Sequence, residues 1–217
     1  MEPIKIDLAL DKHFLLPGNK QVAYLMIKLN APIEVMANRP VQNLSFVIDR
    51  SGSMHGDKLD YTKKAVAFAI GHLGPKDFCS VVAFDDMVSL VAASQNVENK
   101  DALKQSVLSV YTGGCTNLSG GMLQGLREVK QALGKDRINR VLLLTDGQAN
   151  EGVTDHNKLI KKAGEMAGGE VTLSTFGLGE DFEEDLLMAM AEAGKGNFYY
   201  IQSPDQIQVI FEQELTG

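Results

Sequence analysis

Between residues 43 and 211, short apolar runs alternate with segments in which apolar residues return every three or four positions. Leu44–Ile48, Phe78–Phe84, Val141–Leu144 and Asn197–Ile201 are almost continuously apolar, and Val171–Thr175, with Val171 and Leu173 apolar, reads as a further short strand. Such runs predict strands covered on both faces, as in a parallel sheet. Val88–Ala92 follows Phe78–Phe84 after only Asp85-Asp86-Met87, a connection short enough to permit a hairpin alone, which predicts an antiparallel edge strand. Leu59, Thr62, Val66, Ala69, Ile70 and Leu73 share one helical face, with Asp60, Lys63 and Lys64 turned away. Leu118, Met122, Leu126, Val129 and Leu133 form a second such stripe, and shorter helices are predicted at 100–109, 155–167, 183–193 and 205–214. Met122, Met188 and Met190 fall on these faces and read as core filler. Alternating strands and helices joined by right-handed crossovers define an α/β fold. The expected form is a doubly wound, mostly parallel six-stranded sheet with one antiparallel edge strand and helices on both faces.

Residues 1–42 follow a different pattern. Ile4–Leu10 alternates at period two, Pro17-Gly18-Asn19 marks a turn, and Val22–Leu29 reads as a second strand. This predicts a β hairpin with one apolar face, which is marginal unless it packs on something. The expected organisation is therefore an N-terminal extension over 1–42, belonging in one reading to a second β domain, and a main domain over 43–217. The abrupt stop after Phe211–Gly217 suggests a fragment of a longer protein.

Composition narrows the function classes. A formal net charge of −7 argues against a general nucleic-acid binder, which carries a basic face. No stretch reaches the roughly 18 uninterrupted apolar residues of a membrane span, and Met1–Asp7 lacks the basic start and apolar middle of a secretion signal. The two cysteines, Cys79 and Cys115, form no disulfide framework, and no histidine cluster makes them a zinc site. Free thiols and the missing signal together suggest a cytoplasmic location.

Three oxygen-bearing clusters carry the candidate chemistry. Asp49-Arg50-Ser51-Gly52-Ser53 closes the first core strand, Thr116 lies in Gly113-Gly114-Cys115-Thr116-Asn117 just before the long helix, and Asp146 follows Val141–Thr145. Singly they have ordinary explanations, as a turn or a helix cap. Together they fall where an open α/β sheet gathers ligands, at the carboxyl ends of strands near the reversal of strand order. Carboxylate and hydroxyl oxygens suit a small hard cation such as Mg2+.

At these residues the chain resembles the von Willebrand factor type A domain carrying a metal-ion-dependent adhesion site. Asp49, Ser51, Ser53, Thr116 and Asp146 match that site position by position. Gly120-Gly121 and Phe176-Gly177-Leu178-Gly179 extend the likeness across about residues 43–211. The hairpin region and Lys28-Leu29-Asn30-Ala31-Pro32 resemble the part preceding this domain in inter-alpha-trypsin-inhibitor-heavy-chain-like and bacterial relatives. The resemblance implies a Rossmann-like sheet with Ser51 and Ser53 as direct metal ligands and Asp49 and Asp146 as direct or water-mediated ones. It implies direct binding by Thr116 when a ligand is engaged, and a partner's acidic side chain in the last position. Mg2+ is the expected ion, with Mn2+ or Ca2+ as alternatives.

Three of the five candidate ligands are neutral hydroxyls, so two carboxylates at most cancel a divalent charge. The expected function is a non-enzymatic, metal-dependent protein–protein interaction in which a partner's Glu or Asp reaches the metal. The alternative is a metal-dependent hydrolase of a phosphorylated substrate, which would need a base or nucleophile beside the metal. A third reading is a structural domain. His55 reads as an exposed loop residue; His13, His72 and His156 are assigned no chemistry. Glu180–Asp185 reads as a solvated helix start.

Overall fold

The computed structural model describes residues 5–11, 20, 22–30, 39–203 and 206–216. They fall into two compact units, Met1–Arg39 and Pro40–Gly217. In the first unit, β1 (Lys5–Leu10) pairs antiparallel with β2 (Leu25–Asn30), with Ile6 opposite Leu29, Leu8 opposite Ile27 and Leu10 opposite Leu25. These pairs alternate with Asp7–Lys28 and Ala9–Met26, so one face of the ribbon is apolar throughout. The predicted turn at 17–19, His13 and the Ala31-Pro32 end of the matched run lie outside the described residues.

The second unit is a six-stranded sheet in the order β5-β4-β3-β6-β7-β8. Its strands are β3 (Val41–Asp49), β4 (Phe78–Phe84), β5 (Val88–Asn96), β6 (Arg137–Thr145), β7 (Thr172–Leu178) and β8 (Lys195–Ile201). All neighbours are parallel except β4 and β5, the edge hairpin that the three-residue connection demanded. The helices are α1 (Asp57–His72), α2 (Lys100–Leu108), α3 (Leu118–Gln131), α4 (His156–Gly168), α5 (Glu184–Ala193) and α6 (Ile207–Thr216). One core joins α1, α2 and α6 to the sheet through Phe46, Ile48, Leu144, Phe176 and Phe211. A second joins α3, α4 and α5 through Val47, Phe84, Leu143, Leu159 and Met190. The alternation of Phe46 and Ile48 with Val47 between the two cores follows from the period-two geometry of β3. Each such fully buried large side chain is worth about 1.5–3 kcal/mol of transfer free energy.

Two expectations change. Leu133 lies beyond the end of α3 and is 41% exposed, because the helix stops at Gln131 and Val129 already closes its buried stripe. Met188 is 48% exposed whereas Met122 and Met190 are buried. In the ten-residue α5 the inward positions are Leu186, Leu187, Met190 and Ala191, and Met188 falls between them on the solvent side.

α3 sits unusually close to the sheet. A Cβ added at Gly121 would lie 2.4 Å from the Phe84 ring, and one at Gly125 would lie 2.4 Å from Val47 Cγ2. Glycine at these two inward positions sets the depth of the helix, and with it the height of the loop bearing Thr116.

Candidate functional site

From β3 the chain winds outward to β4 and β5, then returns on the other side of β3 as β6. The carboxyl ends of β3 and β6 therefore flank the point where strand order reverses, the usual crevice for ligands in an open α/β sheet. Asp49 ends β3, and Asp146 follows directly on β6. Ile48 pairs with Leu144, so the two carboxylates leave adjacent strands at nearly the same level. Both residues are fully buried.

The Asp49 carboxylate is held on both oxygens. Oδ1 accepts the Ser51 amide at 2.8 Å and Oδ2 accepts the Thr145 hydroxyl at 2.5 Å. Burial nevertheless pushes its pKa up to about 6; the hydrogen bonds from Thr145 and Ser51 pull the other way, and the charge of Asp146 adds to the rise. This is an anion whose contacts are neutral and whose charged neighbour is another anion.

Ser51 and Ser53 are brought together by a single 3-10 turn at Gly52–Met54, which sets their hydroxyls 3.1 Å apart. Met54, immediately after, is completely buried and pins the turn to the core. Ser51 is buried and Ser53 exposed, so the cluster faces outward through Ser53. Beyond it, His55 is exposed as expected and lines an open groove of about 300 Å³ with Leu59, Asp60, Lys63 and Tyr111.

The loop bearing Thr116 is fastened to the Asp49 loop by two backbone bonds, Gly52 N to Gly114 O at 2.8 Å and Gly113 N to Arg50 O at 2.7 Å. It is also tied to the segment after β6. The Thr116 amide donates to Asn150 Oδ1 at 2.7 Å, and Asn150 N donates back to Thr116 O at 3.2 Å. Thr116 itself is buried. Asn117, next in sequence, caps α3 by accepting the Gly120 amide, so capping falls to Asn117 rather than Thr116. All three predicted clusters thus stand at one end of the sheet, their loops stitched to one another.

Several residues that organise this region were not singled out from the sequence. Asp85, within what reads as a plain turn, accepts from Arg50 Nη2 at 3.0 Å, the Met87 amide at 2.9 Å and the Gly114 amide at 3.3 Å. A Cβ on Gly113 would fall 1.6 Å from Asp85 Oδ2, so only glycine fits there. Thr145 positions Asp49 and also accepts the Gly147 amide at 2.9 Å, while Gly147 turns the chain at φ +77°. Lys58 Nζ lies 3.3 Å from Asp146 Oδ2. The strand-end Thr-Asp-Gly was the one local signal for Thr145; the Arg50 and Gly114 partners of Asp85 and the Asp146 partner of Lys58 lie dozens of residues away.

Chemically the five residues singled out from the sequence offer two carboxylates and three hydroxyls. Among the described residues no group of three or more His, Cys, Asp or Glu side chains is gathered in a metal-binding arrangement, so a cation here would rest on hydroxyl oxygens as much as on charge. That donor set fits a hard divalent ion and suits neither a thiolate nor an imidazole site. Cys115, in the same loop, is a free exposed thiol, and Cys79 is free and buried, where desolvation pushes its thiol up to about 12. Glu180, Asp181 and Glu183–Asp185 are exposed, with Glu184 and Asp185 in the first turn of α5. No helix among the described residues is long and apolar enough to cross a membrane.

Comparison with known proteins agrees with this architecture. The chain is 31% identical over 214 residues to an uncharacterized protein of Synechocystis sp., covering 97% of this chain and 50% of that protein. It is 33% identical over 215 residues to inter-alpha-trypsin inhibitor heavy chain H1 of Sus scrofa, covering 93% of this chain and 22% of that one. It therefore spans half or less of the length of these relatives. Among solved structures, proximal thread matrix protein 1 from the mussel byssus, described as having a zinc-occupied MIDAS motif, shares the fold at a TM-score of 0.66 and 18% identity, over 81% of this chain and 48% of that one. The family model for the von Willebrand factor type A domain matches residues 43–213, the span that forms this doubly wound sheet and its strand-end oxygen cluster, and the chain belongs to that family.

Proposed function

We propose that the domain is a non-enzymatic, metal-dependent protein-interaction module. In this reading Asp49, Ser51, Ser53, Thr116 and Asp146 hold a divalent cation, Mg2+ or a close substitute such as Mn2+ or Ca2+, and a partner protein supplies a Glu or Asp that completes its coordination. Domains of this family commonly act as interaction modules. The observation that carries the reading here is Asp49: a fully buried carboxylate bonded only to neutral donors at a strand-order reversal, with a second carboxylate close enough to raise its pKa. A cation relieves that imbalance. Two carboxylates at most cancel the charge of the ion, so the last coordination position stays open to a carboxylate from the partner. The groups bonded to the two carboxylate side chains are Thr145, Ser51, Lys58 and the Gln148 amide. None is a free base of the kind that hydrolysis of a phosphoester would call on.

Thermal unfolding with Mg2+, with Mn2+ and with chelator tests the site, because a ligand that binds only the folded state raises its midpoint. A metal-dependent rise that disappears in Asp49→Ala is expected; no rise at millimolar metal refutes the assignment. Recovery of a binding partner from the source organism that is lost on adding chelator tests the interaction. Metal-dependent phosphoesterase turnover abolished by Asp49→Ala would replace this reading with the hydrolase.

A further inference from the structure

The two carboxylates of the cluster are not equivalent, because one already has a cation. Lys58, the second residue of α1, sends its ammonium to within 3.3 Å of Asp146 Oδ2. The side chain is 25% exposed while that of Asp146 is fully buried, so the pair sits at the margin of the crevice rather than in free solvent. Its path is prepared at both ends. The Lys58 carbonyl accepts the Thr62 hydroxyl at 2.8 Å, which belongs to a wholly buried residue of α1. Its stem crosses the end of β7 at Gly179: a Cβ there would lie 2.2 Å from Lys58 Cε and 2.9 Å from Nζ, and the φ of +82° independently favours glycine. Asp49 has no such companion; its bonded partners are a hydroxyl and an amide.

The consequence is a charge count. Two carboxylates alone would cancel a divalent ion and leave a neutral assembly with little preference for an anion. With the Lys58 ammonium beside them the same assembly carries one positive charge, directed at whatever completes the coordination. We propose that Lys58 is a specificity-determining residue of the metal site, a resident cation that weakens metal binding in the absence of an anionic ligand and makes a carboxylate the preferred ligand when metal is bound. This rests on the metal-binding reading of the cluster. It makes the metal and the partner's carboxylate mutually dependent, since each binds better when the other is present and the coupling is reciprocal.

The test is calorimetric titration of Mg2+ into the parent protein, Lys58→Met and Lys58→Arg, with Lys58→Gln as a second neutral variant should the methionine protein not fold. Removing one positive charge near a divalent ion in a partly exposed site is expected to tighten Mg2+ binding by about tenfold or more; the arginine variant, which keeps the charge, is expected to bind Mg2+ like the parent. Acetate, used as a carboxylate probe, is expected to strengthen Mg2+ binding to the parent more than to Lys58→Met. The Mg2+-induced rise in thermal midpoint should also be larger in Lys58→Met, because its metal-free form loses the counter-ion of Asp146. Loss of a purely structural ion pair would lower stability equally with and without metal and leave Mg2+ affinity unchanged. Unchanged or weaker affinity in both neutral variants, with the parent binding Mg2+, overturns the role of Lys58 and leaves the metal site standing. A parent protein that binds no Mg2+ overturns both.

Discussion

Two buried carboxylates, one in the carboxyl-end crevice and one among the amino-terminal halves of β6, β7 and β8, show opposite solutions to the same electrostatic problem. Glu214 of α6 is buried, yet its oxygens receive Arg140 Nη1 at 2.7 Å, the Ser174 hydroxyl at 2.5 Å, Asn197 Nδ2 at 3.0 Å and the Tyr199 hydroxyl at 3.0 Å. Arg140 also donates to the Glu214 carbonyl at 2.9 Å. Desolvation, helped by the Glu214 charge, pushes the Tyr199 phenol up to about 12, so it remains a donor. This anion is given its counter-charge and a full set of hydrogen bonds by the chain itself, and the result fastens the last helix to three strands. Asp49 is equally buried and has two neutral donors. Asp146 lies between them, with one lysine. Glu214 is neutralised internally, whereas Asp49 is left without a counter-charge from the chain, as the proposed metal site requires.

The sharpest way to break this contrast is at Arg140. Arg140→Met leaves Glu214 charged, buried and without its cation, and is expected to cost about 3–5 kcal/mol of stability, read by urea unfolding. The Mg2+-induced shift in midpoint should survive in whatever protein folds. Asp49→Ala is the converse, with little change in metal-free stability expected. The metal-dependent gain, about 2.7 kcal/mol at a hundredfold excess of metal over its dissociation constant, should be lost entirely. Gly121→Ala tests whether the crevice depends on the depth of α3: the added methyl meets Phe84 at 2.4 Å. A loss of about 1–3 kcal/mol from overpacking, together with weaker Mg2+ binding by titration, is expected because the loop bearing Thr116 runs directly into that helix. Tyr199→Phe removes one of the four side-chain donors to Glu214 and should cost about 1 kcal/mol, with Mg2+ affinity unchanged. A metal response altered by Tyr199→Phe would mean that the two regions are coupled and the contrast is too sharp.

Much of this was legible before the fold was known, for identifiable reasons. Strands buried on both faces announce themselves as apolar runs, and a three-residue link such as Asp85–Met87 leaves a hairpin as the one geometry available. The oxygen clusters were visible because a doubly wound sheet sends the carboxyl ends of its parallel strands to the same edge, so Asp49 and Asp146 needed only strand ends to be placed there. Element ends were less legible. Leu133 continues the periodicity of α3 past the point where the helix stops, and Met188 differs from Met190 only in the phase of a short helix. Nothing local marked Glu214, which in sequence is one acid among several near the end of the chain, or Lys58, which reads as one more lysine on an amphipathic helix.

The sequence by itself determined the layered α/β architecture, the antiparallel edge, and the three places where oxygen-bearing side chains collect, because periodicity, connection length and strand-end position are local properties. Only the tertiary structure decided how those charges are balanced. Lys58 and Asp146 are 88 residues apart, Arg140 and Glu214 are 74 apart, and Arg50 and Asp85 are 35 apart. Pairings over such distances are set by how helices lie on the sheet, and the balance of buried charge follows from them.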